Sequence, residues 1–333
     1  HRFARLSGDY NPMHLDPVMA RRLMFGGAVV HGIHLLLRAL EFAAPDRDTD
    51  LAMHSINAQF LHPVAVGTAV EFEIDERGEN KTLAYARIGK SIAAKIAVTW
   101  ANNNHTPIQV RHDIPPKETC VTLNDQDLPS AQGQVPLNLS SELMNELFPV
   151  LCNHAQSYQM ATLLATTRII GMKCPGHHSI FSELNLSFAP NDLPAGALQF
   201  AVDKYDSRFR LAYLHVKGSG VEGVLKTILR LPSQTQPTVD ELSQIVKPKE
   251  FANTRALIIG GSRGLGEICS KLLAAGGADV HLTYRSGEAD ADTVIEDIIA
   301  HGARATAHRF DVTDGGNALL EQLAGWQPTD LLY

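Results

Sequence analysis

The sequence contains one strand–turn–strand pattern twice, and this repeat constrains the fold more than any other feature. The first copy reads HSINAQF at 54–60 and the second reads SELNLSF at 182–188, with Gly67 and Gly196 following at matching places. The offset of about 129 residues is far longer than a solenoid unit, so it indicates a duplicated domain.

Each copy combines one helical stretch with several strands. In the first block the apolar and polar residues alternate strictly over 70–74, which predicts a strand with one solvated face. In the second block an apolar-periodic stretch over about 140–166 predicts a helix, and four strand patterns follow. Helix followed by antiparallel strands is an α+β layer, so we predict α+β domains at 1–110 and 111–232.

The last block has a different character. Residues 233–252 are polar and interrupted by prolines, which predicts a linker. The apolar run at 256–259 is typical of a strand buried on both faces. Strand and helix patterns then alternate as βαβαβ, so we predict an α/β Rossmann-type half-domain over 253–333.

A glycine-rich loop, GGSRGLG at 260–266, joins the first strand of this block to its first helix. Residues without Cβ let a diphosphate approach the backbone, and the N–H groups at the helix start bind the anion. This context makes a dinucleotide site the favoured interpretation over a plain tight turn.

The loop resembles the TGxxxGxG motif of the short-chain dehydrogenase/reductase family, although Ile259 replaces the usual threonine. The resemblance implies a nicotinamide cofactor, and Arg263 and Arg285, where an acid would favour NAD, imply NADP(H). The implied cofactor-binding residues are Gly260, Ser262, Arg263, Gly264, Leu265, Gly266, Arg285, Asp311 and Val312.

The family's catalytic serine and its Tyr-x-x-x-Lys pair have no counterpart before Tyr333. We therefore expect this domain to be truncated, as a half-sheet with an exposed edge is a poor stable unit.

The N-terminal turn carries a carboxylate and an imidazole. Asn11-Pro12 forces a turn, which lets Asp9 and His14 converge. Such a pair can hold one water, one group removing a proton while the other gives one to an α-carbon. The Gly32 amide, opening an apolar helix, can stabilise an enolate. The alternative interpretation is a capped surface turn.

Residues 3–100 resemble the MaoC-like, or (R)-specific enoyl-CoA hydratase, family of hot-dog folds. The resemblance rests on Ser-x-Asp-x-Asn-Pro-x-His-x-Asp over 7–16, Val-His-Gly at 30–32, and Phe-x-x-Pro-Val-x-x-Gly at 60–67. It implies a hot-dog fold whose first strand, ahead of Phe3, is missing here. The implied catalytic residues are Asp9, His14, Asn11 and Gly32, with Asn11 as the orienting residue.

The second block lacks this motif, so we interpret it as a non-catalytic hot-dog domain that completes an intramolecular pseudo-dimer. Further homo-oligomerisation is left open. His31 is treated as a supporting residue only. We expect neither a metal nor a cofactor in the hot-dog domains.

Composition excludes other classes. Net charge is −7, from 29 basic and 36 acidic residues, which argues against nucleic-acid binding. The sequence has no apolar run long enough to span a bilayer and no apolar core of a signal peptide at its start. Four scattered cysteines suggest neither disulfides nor zinc, so a cytoplasmic location is expected.

Together, the two resemblances imply a double hot-dog (3R)-hydroxyacyl-thioester dehydratase/enoyl-thioester hydratase fused to an NADP(H)-dependent 3-oxoacyl reductase-like domain. Its partner would be an acyl-CoA or acyl carrier protein thioester in fatty-acid or polyketide-type metabolism. Two alternatives stay open. In the first, the ketoreductase would be the main activity and the hot-dog pair would dock the acyl group. In the second, the chain would be a non-enzymatic acyl-binding scaffold.

Overall fold

The computed structural model describes residues 1–23, 25–43, 51–78, 80–102, 110–189, 196–232 and 234–333. The chain divides into two compact units, residues 1–233 and 234–333, each with its own apolar core.

The first unit is built on a nine-stranded antiparallel sheet in the order β2-β3-β4-β1-β6-β9-β8-β7-β5. The strands are β1 Leu51–Phe60, β2 Glu71–Gly78, β3 Lys81–Ile88, β4 Ser91–Asn102, β5 Gln132–Pro136, β6 Ser179–Phe188, β7 Ala197–Asp206, β8 Leu211–Gly218 and β9 Val221–Leu229.

The two copies of the repeat meet at the middle of this sheet. Strands β1 and β6 pair antiparallel, and Asn57 lies opposite Asn185, its equivalent in the other copy. Ile56 pairs with Leu186 and Ala58 with Leu184, so the pairing is symmetric about the two asparagines. The duplication predicted from the sequence is thus a pseudo-two-fold pair within one chain.

Seven helices of the first unit are described by the structure. They are α1 Arg2–Ser7, α2 Pro12–Leu15, α3 Pro17–Arg21, α4 Gly32–Ala43, α5 Ser141–Leu147, α6 Pro149–His154 and α7 Ser157–Arg168. A π-helical turn, Ile169–Lys173, continues α7.

The core lies between these helices and the sheet. Helix α4 contacts β2, β3 and β4, and α7 contacts β5, with α4 and α7 also touching each other. Helix α4 has a buried apolar stripe, whereas α7 is buried along nearly its whole length. A helix held against an antiparallel sheet in each half confirms the predicted double hot-dog fold.

The second unit is a four-stranded parallel sheet in the order β12-β11-β10-β13. Its elements are α8 Val239–Leu242, β10 Arg255–Ile258, α9 Gly264–Ala275, β11 Asp279–Tyr284, α10 Glu288–Ala300, β12 Arg304–Arg309, α11 Asn317–Leu323 and β13 Asp330–Leu332. Strand order and alternation confirm the predicted α/β Rossmann-type half-domain.

The stretch predicted as a linker, 233–252, is more structured than its polar composition suggests. Thr238 and Glu241 form a capping box that starts α8. Val239 on this helix is fully buried in the core of the second unit. Residues 234–252 therefore pack with the second unit.

Among the residues that the structure describes, no helix combines the length and apolar character needed to cross a bilayer.

Candidate active site

The turn that carries Asp9 is fixed by backbone geometry on both sides. Helix α1 ends at Gly8, whose φ of 74° is left-handed and favours glycine. Asn11 is the N-cap of helix α2, and its side-chain oxygen accepts a hydrogen bond from the Met13 N–H. The turn predicted from Asn11-Pro12 is present and places Asp9 inside the protein.

Asp9 is almost fully buried, at 1% exposure. One carboxylate oxygen, Oδ1, accepts a hydrogen bond from the Asn11 N–H at 3.1 Å. The other, Oδ2, accepts one from the Thr167 hydroxyl at 2.6 Å. Burial raises the pKa of Asp9, while the attraction of His14 and the Thr167 hydrogen bond partly oppose that rise.

His14 is oriented by one backbone contact. Its Nδ1 lies 2.7 Å from the Val29 carbonyl oxygen. A carbonyl only accepts, so Nδ1 carries the proton and Nε2 is left for proton transfer. Burial lowers the pKa of His14, and the nearby Asp9 opposes that lowering.

His31 completes the cluster. Its ring stacks on His14 with centroids 3.7 Å apart, and its Nε2 lies 3.0 Å from the Asp9 backbone oxygen. Burial and the neighbouring His14 hold the pKa of His31 well below its usual range. His31, which the sequence predicts only as a supporting residue, lies against both Asp9 and His14.

The three side chains could each offer one metal-ligand atom, since these atoms lie within 4.8 Å of one another. However, the His14 and His31 rings are stacked with an interplanar angle of 23°, so their lone pairs run alongside each other rather than to one centre. Both Asp9 oxygens already accept hydrogen bonds. The arrangement suits proton transfer better than metal binding.

Asn11 ties the turn to the second half of the unit. Its Nδ2 donates to the Gly171 carbonyl at 3.0 Å and to the Gly176 carbonyl at 3.1 Å. Its side-chain oxygen caps α2, so both the oxygen and the nitrogen of the amide make structural hydrogen bonds. These contacts agree with an orienting role for Asn11, which fixes the position of the whole turn that carries Asp9.

Gly32 is the first residue of α4, where the backbone N–H groups have no acceptor within the helix. A Cβ at this position would lie 3.0 Å from the Phe60 ring. The close approach of β1 explains why glycine opens this helix.

Two residues of the second half touch Asp9 and were missed by sequence reasoning. Thr167 donates to its carboxylate, and Gly171 packs so closely that a Cβ there would be 2.3 Å from Oδ1. Thr167 is 158 positions away in the chain, with no motif around it, and only the pairing of the two halves brings it there.

The glycine loop of the second unit has the predicted geometry. Gly260 and Gly264 have φ values of 81° and 60°, and added Cβ atoms there would meet open space. A Cβ on Gly266 would lie 2.3 Å from the Gly260 oxygen, so this glycine allows close packing of α9. The loop is therefore an open cradle of backbone at a helix start, and it fits a diphosphate.

The remaining predicted cofactor residues lie on this loop or at the same edge of the sheet. Arg285 follows β11 and Asp311 follows β12, and the Arg285 Nε lies 3.9 Å from the Asp311 carboxylate. Contacts with Thr313 and the Arg285 charge lower the pKa of Asp311. The other predicted residues are half-buried Ser262 and the exposed Arg263, Leu265 and Val312.

The family comparisons agree with this division of the chain. Residues 1–102 match the model of the MaoC like domain, and residues 254–332 match the model of the short chain dehydrogenase family. The chain therefore has a MaoC-like dehydratase domain at its N-terminus and a short-chain dehydrogenase region at its C-terminus.

Individual relatives match shorter parts. An uncharacterized oxidoreductase of Methylorubrum extorquens is 41% identical over 63 residues, which are 19% of this chain and 25% of that protein. The L-rhamnose 1-dehydrogenase (NADP(+)) of Thermoplasma acidophilum is 35% identical over 65 residues, which are 20% of this chain and 26% of that protein. The chain thus spans about a quarter of the length of the curated relatives it matches.

Among solved structures, a putative MaoC domain protein dehydratase from Chloroflexus aurantiacus aligns with 69% of this chain and 91% of its own, at 9% identity and a TM-score of 0.43.

Proposed function

We propose that the double hot-dog unit reversibly hydrates trans-2-enoyl thioesters to (3R)-3-hydroxyacyl thioesters. The observation that carries this proposal is the convergence of Asp9 and His14 in a buried site within a MaoC-like domain. The carrier would be coenzyme A or an acyl carrier protein, in cytoplasmic fatty-acid or polyketide-type metabolism.

The step starts with Asp9 ionised and His14 protonated on both ring nitrogens, a pair of charges that the attraction between the two groups favours. The Asp9 carboxylate takes a proton from a water as the water oxygen bonds to C3, and His14 gives a proton to C2. The proton then returns from Asp9 to His14, so one water is added in total. Because burial raises the pKa of Asp9 and lowers that of His14, the two values move toward each other and a proton can pass between the two groups in either direction.

The thioester oxygen gains negative charge as the enolate forms. The Gly32 amide and the start of α4 are the groups that would stabilise it. Substrate would be held with its carbonyl toward this helix start and its C2–C3 bond between Asp9 and His14.

For the second unit we propose an NADP(H)-dependent 3-oxoacyl-thioester reductase-like domain. Bound NADPH would supply a hydride. The glycine loop would hold its diphosphate, while Arg263 and Arg285 would attract its 2′-phosphate. The NADP(+) specificity stated in the name of the Thermoplasma relative supports this choice. The two steps would share the 3-hydroxyacyl species.

Ultraviolet loss of crotonyl-CoA tests the hydratase proposal. We expect Asp9→Asn and His14→Ala each to slow turnover by about 10²–10⁴-fold, the usual scale of general acid–base effects. His62→Ala, which removes an exposed histidine of the same unit, is the matched control. Unchanged turnover in Asp9→Asn would contradict the proposal and favour a docking role for the hot-dog pair.

A further inference from the structure

We propose that Thr167, in the second hot-dog half, is a positioning residue that holds the Asp9 carboxylate in its reactive orientation. The inference rests on the proposed hydratase function. It gives the half without catalytic motif a direct part in the chemistry of the other half.

The hydroxyl of Thr167 points out of its helix, unlike those of its neighbours. Thr162 and Thr166, on the same helix α7, donate to carbonyls of that helix, those of Tyr158 and Leu163. Thr167 donates instead to Asp9 Oδ2, at 2.6 Å, between two buried side chains. A hydrogen bond to a buried carboxylate is among the stronger ones in proteins.

Gly171 closes the other side of the carboxylate. The π-helical turn Ile169–Lys173 brings its Cα against Asp9, so that even a methyl group would overlap with both carboxylate oxygens. The Gly171 carbonyl also accepts a hydrogen bond from Asn11. The second half therefore fixes the carboxylate by one hydrogen bond and one steric wall.

The charge around Asp9 gives this contact a measurable consequence. The groups that face the carboxylate are His14 from α2, His31 ahead of α4, Arg168 from α7, and Cys120. Among the contacts that favour the ionised form, the Thr167 hydrogen bond comes second to the attraction of His14. Removing the hydroxyl destabilises the carboxylate, so the pKa of Asp9 rises and Asp9 becomes protonated at a higher pH.

The test compares the pH dependence of crotonyl-CoA hydration by the full chain in four forms: wild type, Thr167→Ser, Thr167→Cys and Thr167→Val. We expect Thr167→Val to lose about tenfold to a hundredfold in kcat, the scale of one hydrogen bond to a charged group. The acidic limb of its pH–rate profile, where activity falls as Asp9 becomes protonated, should move to higher pH. Serine should restore both properties, and cysteine, a weaker donor, should fall between.

Thr166→Val is the matched control, because it removes a buried hydroxyl from the same helix without touching Asp9. It should leave the acidic limb in place. A Thr167→Val enzyme with the wild-type acidic limb would overturn the proposal. If that variant does not fold, a wild-type limb in Thr167→Cys would overturn it equally. A wild type without any hydration would instead reject the proposed function, and the role of Thr167 with it.

Discussion

At the scale of single residues, the environment rather than the residue type creates the site. Asp9, His14 and His31 are ordinary side chains, and the chain has 15 histidines. Burial shifts the pKa of the acid upward and those of the two histidines downward, which is typical of groups that exchange protons. The same sequence motif on an exposed turn would keep ordinary pKa values.

Arg285 allows a prediction at this scale. Its side chain is 74% exposed at the edge of the sheet where the glycine loop lies, so its guanidinium can contact a bound 2′-phosphate. We expect Arg285→Gln to weaken NADPH binding by about tenfold, the scale of one charge-assisted contact, with little change for NADH. Fluorescence titration with both dinucleotides measures the difference.

Arg304→Gln is the matched control for this titration. Arg304 is 81% exposed and its Nε also lies 3.9 Å from an aspartate, but it opens β12 at the opposite end of the strand. Equal losses for NADPH and NADH in Arg285→Gln would argue against a role in recognising the phosphate.

At the scale of elements, hydrophobic periodicity predicted which segments form helices and strands, but it did not predict where a helix is interrupted. The single helix predicted over about 140–166 is three helices, α5, α6 and α7. Pro149 takes the first position of α6, where its missing N–H costs nothing, and the chain turns before it. Helix α7 is buried on all sides and therefore has no single apolar stripe. A search for helices with one apolar face could not predict burial of this kind.

Gly223 tests how tightly the central strands are packed. It lies on β9 opposite Leu186 of β6, and a Cβ there would be 2.1 Å from the Asn185 carbonyl oxygen. We expect Gly223→Ala to lower the free energy of unfolding by about 1–3 kcal/mol, since backbone must move to make room. Urea denaturation gives this value.

Gly27→Ala serves as its control, because an added Cβ there meets nothing within 4 Å and should change stability little. Equal midpoints for the Gly223 and Gly27 variants would mean that β6 and β9 are packed more loosely than the structure shows.

At the scale of the whole molecule, the division into two units separates the two candidate sites. Both halves of the hot-dog pair fall in one unit, with a core that runs through both. The glycine loop and its sheet belong to the other unit, with a separate core. The residues described at each candidate site therefore lie within one unit.

This separation predicts independent loss of the two functions. Gly266→Ala should abolish NADPH binding, because its Cβ would collide with the Gly260 oxygen, and should leave crotonyl-CoA hydration unchanged. Asp9→Asn should do the reverse. Both activities are measured on the full chain, with Ile299→Ala, an exposed position on α10, as the control. Loss of hydration in Gly266→Ala would show that the two sites depend on each other.

The sequence alone was enough to identify the features that depend on neighbouring residues in the chain. The Asn11-Pro12 turn, the glycines of the 260–266 loop and the repeat around Asn57 and Asn185 are local patterns, and backbone sterics or periodicity give each one meaning without knowledge of the rest of the chain.

Only the tertiary structure shows the contacts between residues that are far apart in the chain. The packing of the two halves against each other brings Thr167 and Gly171 against Asp9, and the stacking of His31 on His14 places His31 at the site. The physical reason is that burial and hydrogen bonding to a carboxylate are set by whatever packs around it, and the second half that packs there carries no motif of its own.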